Sequence, residues 1–350
     1  MADFIAKNRL KVVGGSLLLL TIFGFVFFRG PMTHIQLPAE SLHKPIAEFL
    51  VAGFRNTVAL TNTILAAWLT IIVLFLISRA ATRRMELVPR GWQNLMEAVL
   101  EYIRDLANQI AGPTYGRRFL PAVATIFFFV LVNNWMGLLP GYGSIGWVEE
   151  EAHGGVPFQL TQVGPVKLGF VMPGAAPAEA ATEPLAGGKE AGDDEGVING
   201  ILVPWLRSAN SDVNTPLALA LMSMIFVEYW GISGLGLFRY GAKFFNFKQL
   251  LRFKIMGIVD AFIGLLELVS ELSRLISFTF RLFGNIFAGE VLLAVIGFLM
   301  PWAVILPFYG LELIVGFMQA IVFAALTLVF GVMAVTAHDG GAHGEAAHGH

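Results

Sequence analysis

Cysteine is absent from this chain, and charged residues are few. Without cysteine, disulfide bonds, thiolate metal sites and thiol chemistry are excluded. Charged residues make up 14% of the sequence, whereas a soluble domain contains about 25%. The net charge of −2 indicates neither nucleic acid nor an acidic substrate as a partner. Because apolar residues reach 56%, the composition is typical of an integral membrane protein.

Soluble catalytic motifs are also lacking, and no phosphate-binding loop is present. Gly231, Gly234 and Gly236 loosely resemble a nucleotide-binding pattern, but they end a hydrophobic run, where close helix packing explains them better. The polar C-terminal tail contains four histidines, which are interpreted as part of a solvated tail rather than a metal site: His338, His343, His348 and His350. We therefore expect no cofactor, no metal and no nucleotide site.

Long hydrophobic runs dominate what remains of the sequence. Four runs of about 20 residues can each cross ~30 Å of hydrocarbon as a helix. They cover residues 12–28, 57–78, 119–139 and 216–238. The first run follows basic residues and resembles a signal peptide, but no small-residue cleavage site follows it. This favours an uncleaved anchor, with a cleaved signal as the alternative.

A further apolar stretch, residues 255–300, contains no proline. A helix of that length would extend roughly 65–70 Å, over twice the ~30 Å thickness of the hydrocarbon. It must therefore turn back on itself or lie steeply tilted. Pro301 ends it, and a last run covers residues 303–335. The predicted fold class is an all-α integral membrane protein with about five to six membrane helices.

Lysine and arginine positions predict the orientation of these helices. The basic segments place both termini in the cytoplasm and residues 140–214 outside. Residues 89–112 have the pattern of an amphipathic helix on the membrane surface. Residues 149–196, rich in Ala, Gly, Pro and Glu, predict a mobile acidic insertion. The predicted regions are an N-terminal anchor helix with an outer segment (1–50), membrane helices (51–140), an extracytoplasmic acidic loop (141–213), channel helices (214–335) and a polar tail (336–350).

Ionisable residues inside the last two hydrophobic runs carry the functional signal. A charge at bilayer depth costs several kcal/mol unless it has a partner or water. These residues are Glu267, Glu271, Arg274, Arg281, Glu290, Glu312 and the polar Gln319. Glu271 and Arg274 are three positions apart, so a buried ion pair that fixes helix packing is an open alternative there. Arg281 has no acidic residue within one helical turn, so its partner is expected on another helix or another chain.

Helix geometry separates these groups. At about 100° per residue, Arg281 and Glu290 lie on opposite faces, while Asn285 lies one turn from Arg281 on nearly the same face. Glu312 and Gln319 share a face of the last helix. A proton path needs relay groups of this kind on both sides of an electrostatic barrier.

Residues 281–290, RLFGNIFAGE, resemble the signature of the F-type ATP synthase subunit a family. Three further stretches are similar to that family and occur in its order: VPRGWQ (88–93), NWMGLLP (134–140), and SDVNT (211–215) followed by LALAL (217–221). Together they cover roughly residues 45–335. The N-terminal hydrophobic run and the acidic insertion depart from the family pattern. The resemblance implies that the last two membrane helices form a long, steeply tilted hairpin against a rotating ring of c subunits.

The resemblance also implies roles for individual residues. Arg281 matches the family's essential arginine, a charge barrier and partner of the ring carboxylate. Asn285, Glu290 and Gln319 match polar residues of the proton path, and Glu312 stands where many members carry a second ionisable residue, often His. The half-channel open to the cytoplasm would be lined by Glu267, Ser270, Ser273 and Ser277.

The function implied is that of a proton-translocating stator subunit that couples proton flow to ATP synthesis on other subunits. The partners implied are the c-ring, the peripheral stalk b subunits, the ATPase head indirectly, and lipid of a bacterial inner membrane. Two alternatives remain. A stand-alone secondary transporter predicts internal repeats, which the sequence does not contain. A purely structural membrane subunit leaves Arg281 without an explanation.

Overall fold

The computed structural model describes residues 47–51, 54–58, 60–83, 85–139, 142–143, 145–150, 156–163, 166–171, 197–236, 240, 255–299 and 305–336. Three predictions lie outside these residues: the first hydrophobic run (12–28), the most acidic part of the outer loop (172–196) and the C-terminal tail (337–350).

Five helices of the described part are long and apolar enough to cross a membrane. They are α1 (Asn62–Thr82), α2 (Trp92–Gly137), α3 (Asn214–Leu235), α4 (Ile255–Leu299) and α5 (Ile305–Thr336). Each overlaps one of the hydrophobic runs identified in the sequence. The fold class of an all-α integral membrane protein is therefore confirmed.

Helix α2 joins the amphipathic segment to the following hydrophobic run. The two parts meet at Gly112, whose φ of 72° and ψ of 165° are not helical. A Cβ on Gly112 would meet no atom within 4 Å, so glycine is required there for its backbone conformation and not for space. Pro113 follows and has no N–H to donate, so the kink falls where the helical hydrogen bonding is already interrupted.

Helix α4 is continuous over 45 residues. The alternative in which this stretch turns back on itself is therefore wrong. No proline or kinking glycine interrupts its backbone hydrogen bonds, because its interior glycines all keep a negative φ. At 1.5 Å per residue the helix is over twice as long as the ~30 Å hydrocarbon layer. A steep tilt in the membrane stays the prediction that accommodates this length.

Two small antiparallel sheets accompany the helices. Strands β1 (Ala47–Val51) and β2 (Phe54–Val58) form a hairpin. Strands β3 (Gly146–Glu150), β4 (Val156–Val163), β5 (Val166–Val171) and β6 (Val197–Pro204) pair in the order β3-β6-β4-β5. The prediction of a mobile loop over residues 149–196 was therefore wrong for the segments that form strands. Their Val, Leu and Phe residues have strand propensity, which the average composition of the whole insertion concealed.

The described chain divides into two compact units. One contains the described residues within 67–134, 213–284 and 316–336. Its helices pack through aromatic rings and small residues: Phe119 stacks on Trp230 with ring centroids 4.0 Å apart. A Cβ on Gly331 would come within 2.8 Å of Trp230, so this glycine makes room for the stack. The buried hydroxyls of Ser223 and Thr327 lie 2.8 Å apart and satisfy each other between α3 and α5.

The other unit contains the described residues within 47–66, 135–212 and 285–315. Side chains at the start of α1 attach it to the segment that precedes α3. Asn62 donates to the carbonyl of Pro204 (3.2 Å), and the Thr63 hydroxyl donates to Asp212 (3.2 Å). Asp212 is only 6% exposed, so this hydrogen bond partly compensates for the removal of its carboxylate from water. The bond from Thr63 gives Asp212, a residue of the SDVNT motif, a role in packing.

Candidate functional site: polar groups on the last two helices

Arg281 lies half-buried on α4. Its neighbours Phe278 and Leu282 are buried, at 2% and 0% exposure. Phe278 packs on Phe323 and Phe330 of α5, with centroid distances of 4.8 and 5.4 Å. This packing fixes the orientation of α4 around Arg281. Among the residues that the structure describes, Arg281 has no carboxylate within ion-pair distance.

Glu290 forms an ion pair with Arg207, a residue that the sequence analysis did not identify. Arg207 Nε donates to Oε1 at 3.1 Å and Nη2 to Oε2 at 3.5 Å. The side chain of Arg207 is 9% exposed and that of Glu290 is 40% exposed, so the pair is open to its surroundings from the carboxylate side. Arg207 was overlooked because it lies outside every hydrophobic run, 83 positions from its partner. Its only signal in the sequence was its place just before the SDVNT motif.

Glu312 is a buried carboxylate of the same unit, with 7% of its surface exposed. It lies directly against Gly289 of α4, where any Cβ would overlap the carboxylate. Gly289 therefore provides the space that Glu312 occupies. The structure brings Glu312 beside the residue that precedes Glu290, so the two acids predicted to act together lie in one region.

Two residues of the NWMGLLP motif hold α5 by its backbone. The Asn134 amide donates to the carbonyl of Gly316 at 3.2 Å, and the Trp135 indole donates to that of Leu313 at 3.1 Å. The Gly316 carbonyl lies about one helical turn before Gln319, and the Leu313 carbonyl belongs to the residue that follows Glu312. In the sequence this motif is only a marker of the family. Of the other predicted path residues, Gln319 is half-buried on α5 and Asn285 is exposed on α4.

The residues predicted to line the cytoplasmic half-channel differ in their exposure along α4. Glu267 and Ser270 are half-buried, whereas Ser273 and Ser277 are exposed. The Ser273 hydroxyl donates to the backbone carbonyl of Val269 at 2.8 Å. At about 100° per residue, the four side chains lie within about 120° of one another around α4.

Arg274 differs from Arg281 because it is paired within its own helix. It donates to Glu271 Oε1 at 2.6 Å, and both side chains are largely buried, at 14% and 11% exposure. The buried ion pair that the sequence left open as an alternative is thus present.

Within the described ranges, no three acidic or histidine side chains are grouped so that they could hold a metal ion.

Five apolar helices, the last two of which carry ionisable groups, define a multi-pass membrane protein. The model of the family "ATP synthase A chain" matches residues 64–331. The chain belongs to this family, which confirms the resemblance seen in the sequence. It is the proton-translocating stator subunit of an F-type ATP synthase.

Similar proteins include three ATP synthase subunits a. That of a Nitratiruptor species is 29% identical over 279 residues, which span 80% of this chain and 90% of the relative. That of Campylobacter fetus subsp. fetus is 28% identical over 272 residues, spanning 77% of this chain and 88% of the relative. That of Campylobacter curvus is 28% identical over 273 residues, spanning 77% of this chain and 89% of the relative.

Proposed function

We propose that Arg281 is the barrier between two half-channels for protons and the partner of a carboxylate on a ring of c subunits. The observation that carries this proposal is its lack of an acidic partner in the described chain, although it lies half-buried in an apolar helix. A guanidinium in such surroundings requires a counter-charge or water. A carboxylate of another subunit supplies the counter-charge, and the half-channels supply the water.

The outer half-channel contains Glu290, Glu312, Asn285 and Gln319, with Arg207 as a further member. Support comes from the solvent-accessible side of the Glu290–Arg207 pair and from the burial of Glu312 nearby. Protons reach Glu312 from the water around Glu290. The half-channel that opens to the cytoplasm is lined by Glu267, Ser270, Ser273 and Ser277.

The surface toward the ring is formed by α4 and α5. Both helices leave large apolar side chains exposed beside the polar groups, among them Val269, Ile276 and Phe280 on α4 and Ile314 and Met318 on α5. Exposed apolar surface of this kind is suited to lipid or to another membrane helix. We assign it to the c-ring near Arg281 and to lipid elsewhere.

Proton transfer then follows from charge stabilisation. A proton from the outer half-channel neutralises a ring carboxylate, which can enter the lipid because it is uncharged. After nearly a full turn the carboxylate reaches the cytoplasmic half-channel, where water and Arg281 favour its ionised form. Arg281 also repels a proton that would otherwise pass directly between the half-channels. Ring rotation drives ATP synthesis in the soluble head, and peripheral b subunits hold this chain in place in a bacterial inner membrane.

Purification and a transport assay test this assignment. The chain should co-purify with a ring of small subunits and a soluble ATPase, and ATP should acidify vesicles of the complex in sodium-free buffer. A chain that transports protons after reconstitution alone, without a ring, would contradict the proposal and favour a stand-alone transporter. ATP-driven transport that required sodium would contradict protons as the coupling ion.

A further inference from the structure

Two arginines lie on the same face of α4. Arg274 and Arg281 are seven positions apart, which is nearly two turns, or about 10 Å along the axis. Both side chains end in a planar guanidinium that can donate two parallel hydrogen bonds to a carboxylate. In one respect they differ: Arg274 is bound to neighbours of its own chain, whereas Arg281 forms no ion pair with the described residues.

Three groups contact the guanidinium of Arg274. Nη1 donates to Glu271 Oε1 at 2.6 Å and Nη2 to the Ser270 hydroxyl at 3.4 Å. The guanidinium carbon lies 4.8 Å from the centroid of the Phe330 ring on α5, within the range of a cation–π interaction. These contacts fix the side chain against α5, and Glu271 neutralises its charge.

Tyr240 lies near this ion pair and stays uncharged. Burial first, and then the carboxylate of Glu228, raise the pKa of Tyr240. Its ring covers Gly231 of α3, where a Cβ would overlap it. The tyrosine therefore offers no charge that could replace Glu271 beside Arg274.

We propose that Glu271 is a specificity-determining residue that prevents Arg274 from binding the ring carboxylate, so that Arg281 alone exchanges with it. This inference rests on the proposed function. Glu271 and Arg274 are both largely buried, and a passing carboxylate would have to displace a short, charge-assisted hydrogen bond to reach Arg274. Without Glu271, a second cation of equal charge would stand about 10 Å from the barrier and retain each carboxylate after its release from Arg281.

The test compares Glu271→Gln, Arg274→Gln and the double variant in the whole complex, with ATP-driven proton pumping expressed per assembled complex. We expect Glu271→Gln to lower this rate about tenfold, equivalent to about 1.4 kcal/mol in the barrier. Arg274→Gln and the double variant should stay within about twofold of the unmodified protein, because the competing cation is gone. Glu101→Gln is the matched control: it breaks the i,i+3 pair with Arg104, whose side chains are 65% and 51% exposed.

Three results would overturn the proposal. Equal slowing in Glu271→Gln and in the double variant would mean that Glu271 itself carries protons. Equal slowing in both single variants that is reversed in the double variant would identify a structural pair. A changed yield of assembled complex with an unchanged pumping rate per complex would also identify a structural pair.

Arg281→Gln, assayed beside them, distinguishes failure of the proposed function. Normal pumping in that variant would remove Arg281 from the mechanism, whatever the result at Glu271. Loss of pumping in Arg281→Gln with no effect of Glu271→Gln would overturn only the inference about Glu271.

Discussion

Substitution of Gly289 by alanine isolates the position of the Glu312 carboxylate. A Cβ built on Gly289 comes within 2.5 Å of Glu312 Oε1 and closer still to the rest of the carboxylate, whereas ordinary contact begins at 3.4 Å. Because the obstructing atoms are the end of a flexible side chain, the carboxylate should move rather than the helices. The displacement needed is about 1 Å.

The expected effect is on transport and not on assembly. Alanine stabilises a helix interior by roughly 0.8–1.0 kcal/mol relative to glycine, so α4 itself should not weaken. A displacement of about 1 Å in a reacting group can cost about 100-fold in rate. We therefore expect Gly289→Ala to lower proton flux by about 10- to 100-fold, or about 1.4–2.7 kcal/mol in the barrier. No passive leak should appear, because Arg281 is unchanged.

Proton flux per assembled ring in reconstituted vesicles measures this effect. Gly310→Ala is the matched control, since Gly310 lies on the same helix as Glu312 and a Cβ there meets no atom within 4 Å. It should retain the normal flux. Equal flux in the two variants would refute the claim that the position of Glu312 matters. Loss of the assembled complex in Gly289→Ala alone would show that the helices, and not the carboxylate, give way.

Three further predictions concern the outer half-channel and the outer loop. Glu290→Gln and Glu312→Gln should each slow proton flux about tenfold or more without a leak. The loss in the double variant should be smaller than the two single losses combined, because residues of one network are coupled. Additive losses in flux assays would contradict a shared path. A cysteine at position 190 should react with an impermeant thiol reagent from outside and one at position 83 should not; the reverse labelling would invert the topology. Deletion of residues 175–196 should leave coupled pumping nearly intact, and an assembled but inactive complex would assign that segment a role.

Hydrophobic runs were sufficient to predict the helices, because in a membrane every backbone polar group must be satisfied within its own segment. The absence of proline from residues 255–300 was consistent with the unbroken α4 that the structure contains. The i,i+3 spacing predicted the Glu271–Arg274 pair as one alternative. The isolation of Arg281 was also a local property of the sequence. These features depend on neighbours along the chain, so the sequence contained them.

Contacts between distant segments could not be predicted in the same way. Arg207 pairs with Glu290 from a segment without helical periodicity. Gly289 is one residue of the RLFGNIFAGE motif in the sequence, and only the structure places Glu312 against it. The strands between Gly146 and Pro204 were concealed because their apolar residues are diluted by Ala, Gly and acidic residues in between. In each case the partner is fixed by tertiary packing, which a local pattern does not specify.

Passive proton flux through membranes stripped of the soluble head, normalised to assembled ring, is the most direct test of the barrier assigned to Arg281. Because an arginine keeps its charge where a lysine can lose it on burial, Arg281→Lys should retain the barrier only in part. Arg281→Ala should assemble normally, abolish ATP synthesis and let protons leak through the membrane. Normal coupled synthesis in Arg281→Ala, or a poorly assembled complex with no leak through what remains, would contradict the account.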